Sequence, residues 1–215
     1  MSTDCENPRK ASPRLTARGL QRRHALIEAA TRTFIEHGFE GATLDMIIDL
    51  AGGSRGTLYS SFGGKEGLFA AVIERMIEEI FVAPDPGSAA HDSLERVLEH
   101  YGRRFLHGLL APRSIGLYRL IVAEAPRFPQ IGEHFYTLGP ERSYQLLAER
   151  LGQLHGIQAD RQTLNLVACQ FLEMLKADLF LKAVSMPAYT PASEDIEQRL
   201  QLSVKIIAHY LQATP

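Results

Sequence analysis

The twenty-six residues from Thr43 to Leu68, TLDMIIDLAGGSRGTLYSSFGGKEGL, constrain the fold more than any other stretch of the chain. Behind Thr43, a good N-cap, Leu44, Ile47, Ile48 and Ala51 recur at helical spacing, which predicts a short helix with one buried face. Gly52-Gly53 supplies a sharp corner, because glycine accepts the left-handed backbone that a short helix–helix turn often needs. Ser54 suits the cap of a second helix, anchored by Leu58 and Phe62 four residues apart. Its free face carries Arg55, Thr57, Ser60 and Ser61, and Gly56 lets another backbone come close. Two short helices about a glycine corner, the second presenting small polar groups and an arginine, suit a helix-turn-helix that enters the DNA major groove.

Individual roles follow from side-chain chemistry. Arg55 is the candidate for reading a base edge, since a guanidinium can grip guanine O6 and N7 together. Thr57, Tyr59 and Ser61 are candidate phosphate or base contacts through their hydroxyls, and Thr43, Ser54, Gly56 and Ser60 complete the expected DNA-facing set. Lys65 stands just inside the next helix, after Gly63-Gly64, where the helix dipole disfavours a cation by about 0.3–1 kcal/mol. Beside a phosphate the same position becomes useful, because free N–H groups and an ammonium converge on one anion. A solvated lysine partly offset by Glu66 is the plain alternative.

Residues Arg23 to Leu68 resemble the DNA-binding domain of TetR/AcrR-type transcriptional regulators. The resemblance rests on Phe34, Gly38-Phe39, Thr43, Ile47, Ala51, Gly52, Ser54, Gly56-Thr57-Leu58-Tyr59, Phe62, Lys65-Glu66 and Leu68. It implies a three-helix DNA-binding unit at the front of an all-helical, homodimeric regulator. The chain departs from the pattern at Ile48 (usually a small alanine), at Gly53 (commonly valine) and at Ser61 (frequently tyrosine or histidine). The last departure removes one expected phosphate contact.

Charge placement matters more than bulk charge. The net charge of −2 is unlike that of a protein that simply coats nucleic acid, and residues 1–75 hold ten basic against nine acidic side chains. Arg9, Lys10, Arg14, Arg18, Arg22 and Arg23, however, form an acid-free run. It reads as a basic arm that gains phosphate contacts or enters the minor groove, with a solvated tail as the alternative. Two cysteines give no framework of paired spacings, so a reduced cytoplasmic protein is expected. Cys169 fits a small buried hydrophobe better than a thiol sensor, for want of a charged activating neighbour. No run approaches the roughly 20 apolar residues of a membrane helix, and residues 1–25 lack the apolar core of a signal peptide, so no membrane partner is expected. An enzyme is not expected either. There is no nucleophile elbow or phosphate-cradling loop, and Glu99, His100 and His107 lack a compelling further partner for a metal. No cofactor, metal or catalytic residue is therefore assigned.

The whole chain predicts an all-α fold of about nine to ten helices. Residues 1–17 form the basic arm, 18–63 the helix-turn-helix domain, 64–83 a connecting helix, and 89–215 a helical ligand-binding and dimerisation domain. Pro84-Asp85-Pro86-Gly87-Ser88 marks the main break, and Pro112, Pro126, Pro129 and Pro140 punctuate helices expected near 113–123, 128–138 and 140–154. Leu117 to Pro140 resembles the core of the AefR-like subgroup, and the chain is similar to NalC-type regulators, which are associated with repression that limits multidrug efflux. That resemblance implies release of DNA on sensing a small amphipathic or aromatic inducer. Phe105, Leu109, Tyr118, Ile121, Phe128, Phe135, Phe171, Met174 and Leu175 are pocket candidates, with His134, Arg119 and Glu124 as orienting polar groups. Ordinary packing is the alternative for each of them. Leu164, Ala168 and Leu172, with Leu200, Val204 and Ile207, suit an intermolecular four-helix bundle, or else the chain's own core. A dimer would set two recognition helices about 34–36 Å apart, or a multiple, on near-palindromic double-stranded operator DNA. The connecting helix is the expected transmitter between inducer and DNA. A DNA-binding regulator controlled by a protein partner, without a small ligand, remains the alternative.

Overall fold

The computed structural model describes residues 17–81 and 93–213, and it is all-helical. α1 (Ala17–Gly41), α2 (Leu44–Ala51), α3 (Arg55–Phe62) and α4 (Lys65–Phe81) are followed by α5 (Leu94–Leu109), α6 (Pro112–Glu124) and α7 (Pro129–Tyr136). A π-helical turn (Thr137–Glu141) then leads into α8 (Arg142–Leu151), and α9 (Arg161–Ser185) and α10 (Ser193–Ala213) complete the chain. The basic-arm residues Arg9, Lys10 and Arg14, and the break at Pro84–Ser88, lie outside the described residues.

Local chemistry sets the boundaries. Thr43, Ser54, Ser93 and Asp160 each accept a backbone N–H three residues on, satisfying one of the orphan donors that open α2, α3, α5 and α9. Pro112 and Pro129 occupy the first turns of α6 and α7, where a missing N–H does no harm. α1 bends at Gly38 (φ 73°), and Glu124 Oε1 accepts the Phe39 N–H at 3.0 Å just beyond the bend. The expected break at Pro140 is absent: α7 runs into α8 through the π turn, with Pro140 inside it. A π turn bonds to the fifth residue back and widens the backbone, so the proline ring escapes the carbonyl it would strike in an α-helix.

The apolar side chains sort into two clusters. One gathers α1 to α4 and takes in Leu117, Leu120 and Ile121 from α6 and Ile131 from α7. The other joins α5, α8, α9 and α10 with Ile77 of α4. Helix α4 therefore belongs to both, and α6 and α7, far along the sequence, pack into the N-terminal unit. At the α5 crossing, a Cβ on Gly102 would stand 2.5 Å from Leu200 Cδ1 and 3.1 Å from the Phe171 ring. A larger residue there would have to push the Leu200 side chain aside.

The residues expected at a dimer interface require a correction. Leu164, Ala168, Leu172, Leu200, Val204 and Ile207 are all buried in the second cluster of their own chain. A three-and-four repeat marks a buried face without saying what buries it. The solvent side of the same helices instead carries Leu166, Leu181 and Leu202, each 61–66% exposed, together with Ile206 and Tyr210.

Candidate DNA-reading surface and ligand cavity

The corner between α2 and α3 is built on Gly52 (φ 70°) and Gly53 (φ 124°), both in backbone conformations that favour glycine. Arg22 lies against both glycines and donates from Nη1 to the Ala51 carbonyl at 3.4 Å. Arg23 donates to the Ser61 carbonyl at 3.4 Å and stacks over the Phe62 ring at 4.6 Å. Two arginines of the basic run thus hold the carbonyl ends of α2 and α3, where the helix dipole favours a cation.

Leu58 and Phe62 bury the inner face of α3, leaving Arg55, Gly56, Thr57, Tyr59, Ser60 and Ser61 exposed, with Thr43 and Ser54 exposed at the two caps. Thr57 Oγ1 shares a hydrogen bond with Ser54 Oγ at 3.1 Å, and Ser60 Oγ donates to the Thr57 carbonyl at 3.0 Å. Arg55 Nε donates to Asp45 Oδ1 at 2.7 Å while Nη2 donates to Oδ2, so the Arg55 side chain is clamped to the first turn of α2. The Arg55 hydrogen bond holds the Asp45 carboxyl below the usual carboxylate range.

Lys65 differs from expectation. Its Nζ donates to the carbonyls of Glu40 (3.0 Å) and Ala42 (2.9 Å) and lies 4.8 Å from the Phe39 ring centre. The positive start of α4 repels the ammonium and the carbonyl-rich end of α1 attracts it, so the side chain ties α1 to α4. The sequence reading also missed Gly67. A Cβ there would lie 1.8 Å from the Phe62 carbonyl oxygen, so α4 crosses the end of α3 with no room for a side chain. A glycine inside a helical pattern was the available signal.

In the core, α4, α5, α6, the α7–α8 segment and α9 border a partly open cavity of about 350 Å³, within the size range of small-molecule sites. Phe105, Leu109, Tyr118 and Phe135 line it. Ile121 and Phe128 sit instead with the N-terminal cluster, Phe171 is fully buried beneath Gly102, Met174 packs against the second cluster, and His134 is exposed. Leu175 is likewise buried in the second cluster. Nor do Arg119 and Glu124 orient anything in the cavity. Arg119 donates to the carbonyls of Ala183 (2.9 Å) and Val184 (2.8 Å), and Glu124 holds Phe39. Helical periodicity marks a position as buried, but only the crossing of helices decides whether it meets a side chain or a void.

The remaining wall comes from Met76 and Ile77 of α4, Tyr136, Gly139 and Pro140 around the π turn, Ser143 and Tyr144 of α8, and Cys169, Glu173, Lys176 and Phe180 of α9. One corner is polar. Tyr144 Oη donates to Glu173 Oε1 at 2.6 Å, and Lys176 Nζ stands 2.6 Å from the same oxygen. Burial, then the Glu173 hydrogen bond, pushes the Tyr144 phenol up, so it stays a protonated donor at neutral pH. Glu173 and Lys176, three apart on α9, were the sequence signal for this corner, though Asp178 and Lys182 make a similar pair farther along the same helix. Among the described residues, no group of three His, Cys, Asp or Glu side chains could hold a metal ion, and no helix is long and apolar enough to cross a membrane.

Known proteins match both halves. Residues 26–72 fit the profile of bacterial regulatory proteins of the tetR family, and residues 96–211 fit the C-terminal domain of AefR-like transcriptional repressors. The HTH-type transcriptional regulator YfiR of Bacillus subtilis is 31% identical over 170 residues, covering 76% of this chain and 81% of YfiR. YhgD of the same organism is 30% identical over 83 residues, which span 37% of this chain and 44% of YhgD, less than half of that relative. Among solved structures, the flavonoid-responsive regulator FrrA superposes with a TM-score of 0.69 at 29% identity, covering 91% of this chain and 99% of FrrA.

Proposed function

We propose, from the fact that the chain belongs to the tetR family of bacterial regulatory proteins and carries an AefR-like C-terminal domain, that it is a homodimeric repressor released from its operator by a small amphipathic or aromatic compound. DNA-binding transcription regulation is the activity of that family, which is not a family of enzymes. The inducer, the dimer and the genes controlled are the proposal.

One observation carries the inducer. The cavity is walled by Phe135 and Tyr136 at the end of α7, while Ile131 of the same helix and Phe128 just before it pack into the cluster that holds the DNA-binding helices. A compound filling the cavity pushes on a helix whose other end bears on the N-terminal unit. Only a difference in affinity between the DNA-competent and DNA-released states moves that equilibrium. The wall supports an aromatic or amphipathic ligand: the rings of Phe105, Tyr118, Phe135 and Phe180 offer apolar faces, and Glu173 with Lys176 offers one charged acceptor and one charged donor. FrrA, whose name records a response to flavonoids, supports the same chemical class.

The exposed row of Leu166, Leu181, Leu202, Ile206 and Tyr210 supports a dimer built on the solvent side of α9 and α10. Efflux or resistance genes are the proposed targets, a reading that rests only on the resemblance of the whole sequence to NalC-type regulators. A reduced cytoplasmic setting goes with this proposal.

Fluorescence-anisotropy titration tests it, with DNA from upstream of the chain's own and neighbouring genes, efflux operons included, at two salt concentrations and against competitor duplex. Saturable binding that survives competitor and is lost with one class of phenolic or aromatic compound is the expected result. Specific binding indifferent to every compound shifts control to a protein partner. Absence of specific binding to any duplex, including those from a genome-wide selection, overturns the proposal.

A further inference from the structure

We propose that Asp45 is a positioning residue for base recognition: by clamping one side of the Arg55 guanidinium, it aims the other end at a guanine. This rests on the DNA-reading function proposed above. A guanidinium carries five N–H donors in a fixed plane. Asp45 takes the side-on pair, Nε to Oδ1 at 2.7 Å and one Nη2 hydrogen to Oδ2. The end-on pair, one hydrogen on each Nη nitrogen, is left pointing forward with the spacing that suits guanine O6 and N7. A mobile arginine becomes a directed one.

The surroundings favour this division of labour. Arg55 opens α3, where the helix dipole opposes a cation, whereas Asp45 lies in the first turn of α2, where the dipole favours an anion. Asp45 is thus the anchored member of the pair and Arg55 the member that needs a counter-charge. The neighbouring hydroxyls do not compete for the carboxylate: Ser54 and Thr57 bond to each other, and Ser60 donates to a backbone carbonyl. The nearby cation Lys65 is engaged with the carbonyls of Glu40 and Ala42. An exposed carboxylate beside the recognition helix repels DNA phosphates, so a surface built for bulk affinity alone gains nothing from it. The position makes sense where discrimination between bases matters more than non-specific attraction.

Removing the charge at Asp45 therefore has opposite effects on the two kinds of binding. Full-length protein is used to select a preferred duplex from a randomised pool. Every single-base-pair variant of that duplex is then titrated by fluorescence anisotropy with wild type, Asp45→Asn, Arg55→Ala and the double variant. For Asp45→Asn we expect the preference for guanine to fall about tenfold at the position whose preference Arg55→Ala abolishes. Random-sequence DNA binds as well as before or tighter, and the thermal unfolding midpoint falls only slightly, as the loss of one exposed ion pair requires. The double variant discriminates no worse than Arg55→Ala alone. An Asp45→Asn protein with wild-type base preferences overturns the role of Asp45, and so does one that loses affinity for all duplexes alike. If wild type selects no preferred duplex, the DNA-reading function itself fails and the inference falls with it. A selected duplex whose guanine preference survives Asp45→Asn sinks only the inference.

Discussion

Four phenylalanine rings, Phe34, Phe39, Phe69 and Phe128, meet at centroid distances of 5.3–5.7 Å in the N-terminal unit, and Lys65 closes over one of them. In the core, the rings of Phe105, Tyr118, Phe135 and Phe180 face a cavity of about 350 Å³. The same kind of side chain fills space in one region and borders empty space in the other. A filled unit has few ways to yield, so it moves as a body and keeps its reading helix in shape. A hollow one can change shape when the void is filled. The difference assigns rigidity to the helix-turn-helix end and adaptability to the end that holds the proposed inducer site, with α4, α6 and α7 between them.

The comparison breaks most readily by truncation. Phe34→Ala should cost about 4 kcal/mol in chemical unfolding, because it opens a cavity in a closed aromatic cluster. Phe135→Ala, whose ring borders the void on one side while packing on Tyr118 and the edge of the N-terminal cluster on the other, should cost less while changing compound affinity. Equal losses would mean the core is as tightly filled as the N-terminal unit. Gly67→Ala comes next. Its Cβ, placed 1.8 Å from the Phe62 carbonyl, must drive α3 and α4 apart at about 3 kcal/mol, and DNA binding should go before compound binding does.

Leu202→Asp with Ile206→Asp sharpens the contrast between the buried and exposed faces of α10. Sedimentation velocity should show monomer, with the helical circular-dichroism signal retained, since both side chains point to solvent. Loss of folded protein would place them in the core after all. Smaller still are the caps: Thr43→Ala or Ser54→Ala should each lower stability by about 1 kcal/mol, read as a shift in denaturant midpoint.

The smallest effect is a pH dependence. Hydrogen bonds and ion pairs hold Asp45, Asp160, Asp178 and Glu197 below their ordinary range, through Arg55, the Thr163 backbone, Lys182 and Arg103 in turn. A carboxyl whose folded pKa is depressed contributes stability that is present above its unfolded pKa, about 4, and is lost as pH falls through the folded value. Thermal unfolding should therefore be insensitive to these groups near neutrality and should weaken below about pH 4. Asp178→Asn should flatten part of that acid slope, and an unchanged slope would remove the Asp178–Lys182 pair from the account.

Much of the molecule was legible residue by residue. Thr43, Ser54 and the glycine corner declared the helix-turn-helix because caps and left-handed turns depend on neighbours a few positions away. Helix α6 fell within one residue of the expected 113–123 at each end for the same reason. Pro140 misled, since a proline forbids an α-helical bond but not a π turn. Lys65 misled as well, because the carbonyls of Glu40 and Ala42 that capture it lie more than twenty residues away.

By itself, then, the sequence determined the all-helical class, the reading helix and its exposed polar face, all of them written in short-range periodicity and capping. Which face of α9 and α10 turns inward, which aromatics border the cavity, and that Glu173, Lys176 and Tyr144 share one corner were decided only by tertiary structure. Burial leaves the same apolar pattern whether a residue meets its own chain, a second copy or a void, and only the crossing of helices distinguishes them.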